Sequence, residues 1–204
     1  GKVFYDDAPF LQDAPTLKTY VANPNHIGFH TLGTSEDAFK GTQEMEREVL
    51  KVIAVDIFKA QPDTIDGYIS PGGTEANIQA IWMYRNFFMY QKEAKIDEIA
   101  ILASEDTHYS IPKGANILML DWLKIPVSFE SREIDKLALE NEIIKAKQNG
   151  KKYFIAIANL ATTMFGSVDN PDDFTTILEK HEVEYKLHID GAYGGFVYPF
   201  SNQK

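Results

Sequence analysis

The segment LHIDGAYGG, Leu187 to Gly195, ends an apolar run on one carboxylate, Asp190, and follows it at once with small residues and a single aromatic. An ionised carboxylate taken out of water is costly unless a cation or hydrogen-bond donors meet it. Taken alone, Asp190 could cap a backbone turn or meet a buried cation. The neighbouring loops decide between these, and the fold decides which loops are neighbours.

Outward from this segment, short apolar runs alternate with helical ones. GYIS from Gly67 precedes a helix from Thr74, and IAILAS from Ile99 precedes one beginning near Ser110. IPVSFE from Ile125 leads to a helix that reaches Gln148, with Gly150 as its stop; YFIAIANL from Tyr153 leads to a helix after Pro171, and YKLHID from Tyr185 closes the series. Strand, helix, strand repeated in this way predicts an α/β fold, a largely parallel sheet with helices on both faces. Ligands of such sheets bind beyond the carboxyl ends of the strands, so the loops that follow strands are the informative ones.

Ahead of the alternation, TQEMEREVLKVIAVDIF, Thr42 to Phe58, spaces Met45, Val49, Val52, Ile53 and Ile57 by threes and fours. That spacing predicts a helix of about four turns, with Glu44 and Glu46 in its first turn. Residues 1–41 hold Pro9, Pro15 and Pro24 and few periodic stretches, and read as an irregular N-terminal arm before one domain spanning 42–204.

Composition narrows the partners. The 204 residues are 44% hydrophobic and 25% charged, as in an ordinary globular chain. Twenty Lys and Arg face thirty acids, a formal charge of −10, which argues against nucleic acid and for a small molecule. Absence of cysteine excludes disulfides, thiolate catalysis and Cys-ligated zinc from this sequence, and fits a cytoplasmic location. No apolar run approaches the roughly 20 residues of a membrane-spanning helix, so no membrane partner is expected.

Four loops carry candidate chemistry. SPGGTEANIQA, Ser70 to Ala80, follows an expected strand and opens a helix; Gly72 and Gly73 free the backbone to approach a ligand, while the N–H groups of Gly73 and Thr74 and the Thr74 hydroxyl can face an anion such as phosphate. The bland alternative is a plain turn with Thr74 as the helix N-cap. In SEDTHYSIPKGANIL, His108 sits just past a strand, where it is either a filler or a ring able to stack on a planar ligand. IANLATTMFGSVDN brings Thr162, Thr163 and Gly166 to a strand end, where hydroxyls serve a ligand oxygen or merely a turn. Asp190 is the fourth.

Together these loops describe a pocket for a flat, phosphorylated heterocycle with a protonated ring nitrogen, which is pyridoxal 5'-phosphate. At this point the chain resembles the pyridoxal-phosphate-dependent amino-acid decarboxylases of aspartate-aminotransferase-like fold, the group of glutamate, tyrosine and aromatic-amino-acid decarboxylases. SPGGTEAN, DTHYSIPKGA and LHIDGAYGG match that family in order and spacing, and the resemblance covers most of the chain from about residue 20. It implies that Gly72, Gly73 and Thr74 hold the phosphate and that His108 stacks on the pyridine. It further implies that Thr163 sits at the cofactor's polar edge, Asp190 pairs with the pyridinium nitrogen, and Ala192 packs on the ring's other face. His108 and Asp190 are thereby the catalytic candidates. No metal is implied.

The family also has a Schiff-base lysine in a His-Lys context a few dozen residues beyond the aspartate. Lys204 follows Asn202 and Gln203 and does not match. The chain is accordingly expected to be the N-terminal portion of a longer decarboxylase, partial in its cofactor-binding large domain and dependent on the remaining C-terminal portion of the same polypeptide. The resemblance also implies a homodimer. Open alternatives are a carbon–carbon lyase of the same fold acting on a phosphorylated long-chain base, and a non-enzymatic scaffold that lost the lysine.

Overall fold

A computed structural model describes residues 40–201 of the chain, which divides into two units between Ile69 and Ser70. The expected arm lies almost wholly outside the described residues, as does Lys204.

In the first unit the helix expected at Thr42 begins at Lys40. Helix α1, Lys40–Lys51, runs on into a π-helical stretch, Val52–Ile57, whose wider turn is visible in the bond from the Phe58 N–H to the Ile53 carbonyl, 3.0 Å. The earlier start leaves Glu44 and Glu46 beyond the first turn, which holds no acid. Met45, Val49 and Val52 are exposed on this helix. GYIS is not a strand. An extended segment needs a partner for its N–H and C=O groups, and none of the described strands pairs with it; the Ile69 N–H goes instead to the Glu46 carboxylate, 2.6 Å.

The second unit begins with helix α2, Gly73–Gln91, and continues through strand β1, Ile99–Ser104, helix α3, Ser110–Ile117, and strand β2, Asp121–Ile125. Helix α4, Lys136–Gln148, strand β3, Tyr153–Asn159, helix α5, Pro171–Lys180, and strand β4, Glu184–Asp190, complete it. The strands form one parallel sheet in the order β2-β1-β3-β4.

Strand β1 is buried along its whole length, and its side chains alternate between two cores. Ile99, Ile101 and Ala103 pack with Ile81 and Phe88 of α2 and Ile111 and Ala115 of α3. Ala100 and Leu102 pack with Leu139 and Ile143 of α4 and Phe174 and Leu178 of α5. The helices thus cover both faces, as the alternating sequence predicts. Asp135 caps α4 by accepting from the Leu137 and Ala138 N–H groups, 3.0 Å each, and Gly150 ends it at φ +89°. Asn170 caps α5, with Pro171 in its first turn.

One strand is displaced from its expected place. IPVSFE is not the second strand; DWLKI is, pairing Asp121 to Ile125 with Ala100 to Ser104. Pro126 has no N–H to continue the ladder, and beyond it Val127 makes a single antiparallel bridge to Ile134.

Candidate active site

The strand order reverses beside β1: the chain places β2 on one side and β3 on the other. At the carboxyl ends of β1, β3 and β4 lies a cavity of about 300 Å³, where an open α/β sheet is expected to hold a ligand. Gly73, Thr74, His108, Thr163, Asp190 and Ala192 all line it, together with Asn77, Tyr109, Asn159, Thr162 and Tyr193. Gly72 is outside the lining; it is the N-cap residue of α2.

Thr74 is therefore not the N-cap but the second residue of the helix. Gly72 offers no side-chain cap, so no capping side chain competes for the first-turn N–H groups, and these carry the positive end of the helix dipole beside the cavity. Gly73 lacks a side chain for a steric reason: a Cβ built there would lie 2.7 Å from the Ala192 Cβ.

The GAYGG turn is closed by main-chain packing. Leu160 donates its N–H to the Asp190 carbonyl, 2.9 Å, and accepts from the Gly194 N–H, 3.0 Å. A Cβ on Gly194 would meet the Leu160 oxygen at 2.2 Å, so no other residue fits. The small residues after Asp190 let the β4 turn lie against the loop leaving β3.

Asp190 ends β4 opposite Asn159 of β3 and is 8% exposed. Its Oδ1 accepts the Ala192 N–H, 3.1 Å, and its Oδ2 accepts from Asn77 Nδ2, 2.8 Å. The turn reading of Asp190 is met by the bond to Ala192, and the carboxylate is nonetheless buried at the cavity wall, where its donors among the described residues are neutral. Asn77 also donates to Ser110 Oγ, 2.9 Å, and its Oδ1 faces His188 Nε2, 2.8 Å. Burial pushes the His188 imidazole below its ordinary pKa, with the charge of Asp190 acting weakly in the opposite sense. His108 Nδ1 lies 2.8 Å from Ser110 Oγ, and the His108 ring packs against Tyr109, 4.1 Å between centroids.

A second network braces the loops. Asn159 donates to Asp169 Oδ2 from its backbone N–H, 2.8 Å, and from its amide, 2.7 Å, and accepts from the Thr107 hydroxyl, 2.9 Å. Desolvation raises the Asp169 pKa above the usual carboxylate value, opposed by those Asn159 bonds. Arg132 donates from Nε to Asp106 Oδ2, 2.8 Å, and from its terminal nitrogen to Oδ1, while its guanidinium lies 4.1 Å from the Phe165 ring centroid. Arg132, in the loop after β2, thereby ties the loop after β1 to the loop after β3. Thr162 bonds Ser167, 2.7 Å, whereas the Thr163 hydroxyl has no hydrogen-bond partner among the described residues.

Asn77, Ser110, His188 and Asn159 are absent from the sequence-derived site, although signals existed. Asn77 is one helical turn beyond Gly73, and His188 shares a face of β4 with Asp190 by the two-residue period of a strand.

Comparison with known proteins gives this arrangement a class. The profile of the pyridoxal-dependent decarboxylase conserved domain matches residues 31–204. The chain belongs to that family. It is 50% identical over 202 residues to the tryptophan decarboxylase of Clostridium sporogenes, covering 99% of this chain and 48% of that protein. With the histidine decarboxylase of Vibrio anguillarum it shares 36% over 165 residues, covering 78% and 39%. The chain thus spans less than half the length of these curated relatives. Among solved structures, the L-methionine decarboxylase from Streptomyces sp. 590 matches with a TM-score of 0.69 at 20% identity, over 84% of this chain and 47% of that one, a likeness of fold.

The family's cofactor is pyridoxal phosphate, and the residues present fit it. The uncapped N-terminus of α2 suits a phosphate, the buried Asp190 carboxylate suits a cationic ring nitrogen, and the space kept open between Gly73 and Ala192 admits no further side chain.

Proposed function

We propose that the complete protein decarboxylates an L-amino acid with pyridoxal phosphate as cofactor, and that its substrate is aromatic, tryptophan foremost. The observation that carries the reaction is the placement of Asp190, a buried carboxylate with only neutral donors, on the same cavity as the uncapped N-terminus of α2. The 50% identity to a tryptophan decarboxylase supports the substrate, as do Tyr109 and Tyr193 on the cavity wall.

When bound, the cofactor supplies the electron sink for the pair left at the substrate α-carbon as carbon dioxide departs. The chain's residues serve that sink. The Gly73 and Thr74 N–H groups and the Thr74 hydroxyl would hold the phosphate, and Asp190 would hold a proton on the ring nitrogen. His108 would lie against one ring face and Ala192 against the other, while Thr163 would offer its hydroxyl to the polar edge. In this reading the lysine that anchors the cofactor lies outside residues 1–204, in a C-terminal portion of the same polypeptide, and the protein works as a homodimer.

The test is to incubate the complete protein with pyridoxal phosphate and a panel of L-amino acids, following carbon dioxide and amine release. Tryptophan is expected to give the highest kcat/KM. Cleavage of a phosphorylated long-chain base with no amino-acid decarboxylation would overturn the reading in favour of the carbon–carbon lyase.

A further inference from the structure

Behind the cavity wall one carboxamide joins three elements. Asn77 on α2 is 3% exposed; it reaches Asp190 at the end of β4, Ser110 at the start of α3, and His188 within β4. An amide nitrogen only donates and an amide oxygen only accepts, and a carboxylate only accepts. Asp190 therefore fixes the orientation of the Asn77 amide: Nδ2 faces Asp190 and Ser110, and Oδ1 faces His188. His188 must in turn donate from Nε2.

The consequence travels one residue further. Ser110 Oγ receives a bond from Asn77, so its single proton is free to go to His108 Nδ1, 2.8 Å away. The Ser110 backbone N–H approaches the same nitrogen at 3.3 Å. Nδ1 thus accepts twice, and the ring proton of His108 belongs on Nε2. That nitrogen has no protein partner among the described residues, on a ring that lines the cavity.

We propose that Asn77 is the positioning residue of this site: with one N–H it orients Asp190, and with the other, relayed by Ser110, it presents His108 to the cavity as an Nε2–H donor. A donor there attracts an anionic oxygen, such as the carboxylate of an amino acid, whereas the opposite tautomer would face it with a lone pair. The inference rests on the decarboxylase reading only for the identity of the ligand, since the bonds that set the tautomer lie within the chain.

The test labels histidine isotopically in the complete protein and reads the ring nitrogens of His108 by long-range proton–nitrogen correlation, with His108→Gln providing the assignment. The wild type is expected to show the Nε2–H tautomer. Asn77→Ala and Ser110→Ala are expected to give a mixture of tautomers. The isosteric Asn77→Asp sets a second carboxylate against Asp190, and pyridoxal phosphate affinity, read by absorbance titration, is expected to fall by about tenfold or more. An Nδ1–H tautomer in the wild type overturns the relay without recourse to any variant. Unchanged tautomers in both alanine variants, with affinity in Asn77→Asp within about twofold of wild type, reduce Asn77 to core packing. These readouts need no turnover, so failure to decarboxylate any amino acid sinks the functional reading while leaving the tautomer result decisive for this one.

Discussion

Gly73 and Ala192 meet across the cavity so closely that a Cβ on Gly73 would lie 2.7 Å from the Ala192 Cβ, a separation real Cβ atoms do not adopt. The first residue of α2 and the turn after β4 are therefore fitted to one another, although 119 positions (192 − 73) separate them in sequence. Gly73→Ala is expected to push the first turn of α2 away from the turn after β4 and to cost about 1–3 kcal/mol in pyridoxal phosphate binding, the usual range for overpacking. Gly72→Ala is the control, because its Cβ meets nothing within 4 Å and its φ of 169° is ordinary extended backbone. Equal cofactor affinities for the two variants would show that the contact is not what fixes the site.

Asp190→Asn keeps the volume of the side chain but only one of the two oxygens that accept from Ala192 and Asn77, so its amide nitrogen faces one of those donors. It removes the charge proposed to hold a proton on the ring nitrogen. The complete protein carrying this change is expected to bind pyridoxal phosphate and to lose nearly all of its kcat, since phosphate contacts survive while the electron sink does not. Near-normal turnover in that variant would remove Asp190 from the catalytic role.

The parts of this architecture that were legible in the sequence are those whose burial is decided by their own composition. Strands β1 and β3 are central and covered on both faces, so IAILAS and YFIAIAN are continuous apolar runs. Strand β2 lies at the sheet edge, where Asp121 and Lys124 are exposed, and a search for an apolar run slides past it to IPVSFE. The site divides in the same way. Gly73, His108 and Asp190 stand at the junctions of strands, loops and helices, where an unusual residue is conspicuous. Asn77 and His188 are polar residues inside regular elements and Ser110 opens α3, and their roles arise only where α2, α3 and β4 meet.

His108 offers two separable properties, a ring face and a nitrogen bonded to Ser110. His108→Phe keeps the face and loses the nitrogen, whereas His108→Ala loses both. The alanine variant is expected to weaken cofactor binding by about 1 kcal/mol or more, and the phenylalanine variant by less. Turnover should fall in both, because neither can present an N–H to the cavity. Indistinguishable cofactor affinities in all three proteins would mean that the ring does not stack.

Asp169 yields a prediction about stability and pH that is independent of catalysis. It is 6% exposed, and desolvation raises its pKa above the ordinary carboxylate value of 3.8, against the Asn159 hydrogen bonds and with some help from the charges of Asp106 and Asp173. For an acid whose pKa is higher in the folded state, the folded chain holds its proton more tightly than the unfolded one. Stability from this group is thus fullest below about pH 3.8 and is lost as pH rises through the folded-state pKa, leaving at neutral pH the cost of a buried charge. Asp169→Asn preserves an oxygen for the two Asn159 donors, both of which bond Oδ2. Its amide nitrogen takes the place of Oδ1 on a residue that lines a second cavity of about 350 Å³, where it need not be sealed from water. The variant is expected to melt at or above the wild-type temperature at pH 7, with its advantage shrinking as pH falls toward 4. Thermal melts of both proteins across that range give the answer. A variant that is less stable at pH 7 and gains ground on acidification would mean that the Asn159 bonds outweigh desolvation, and that the folded chain prefers Asp169 charged.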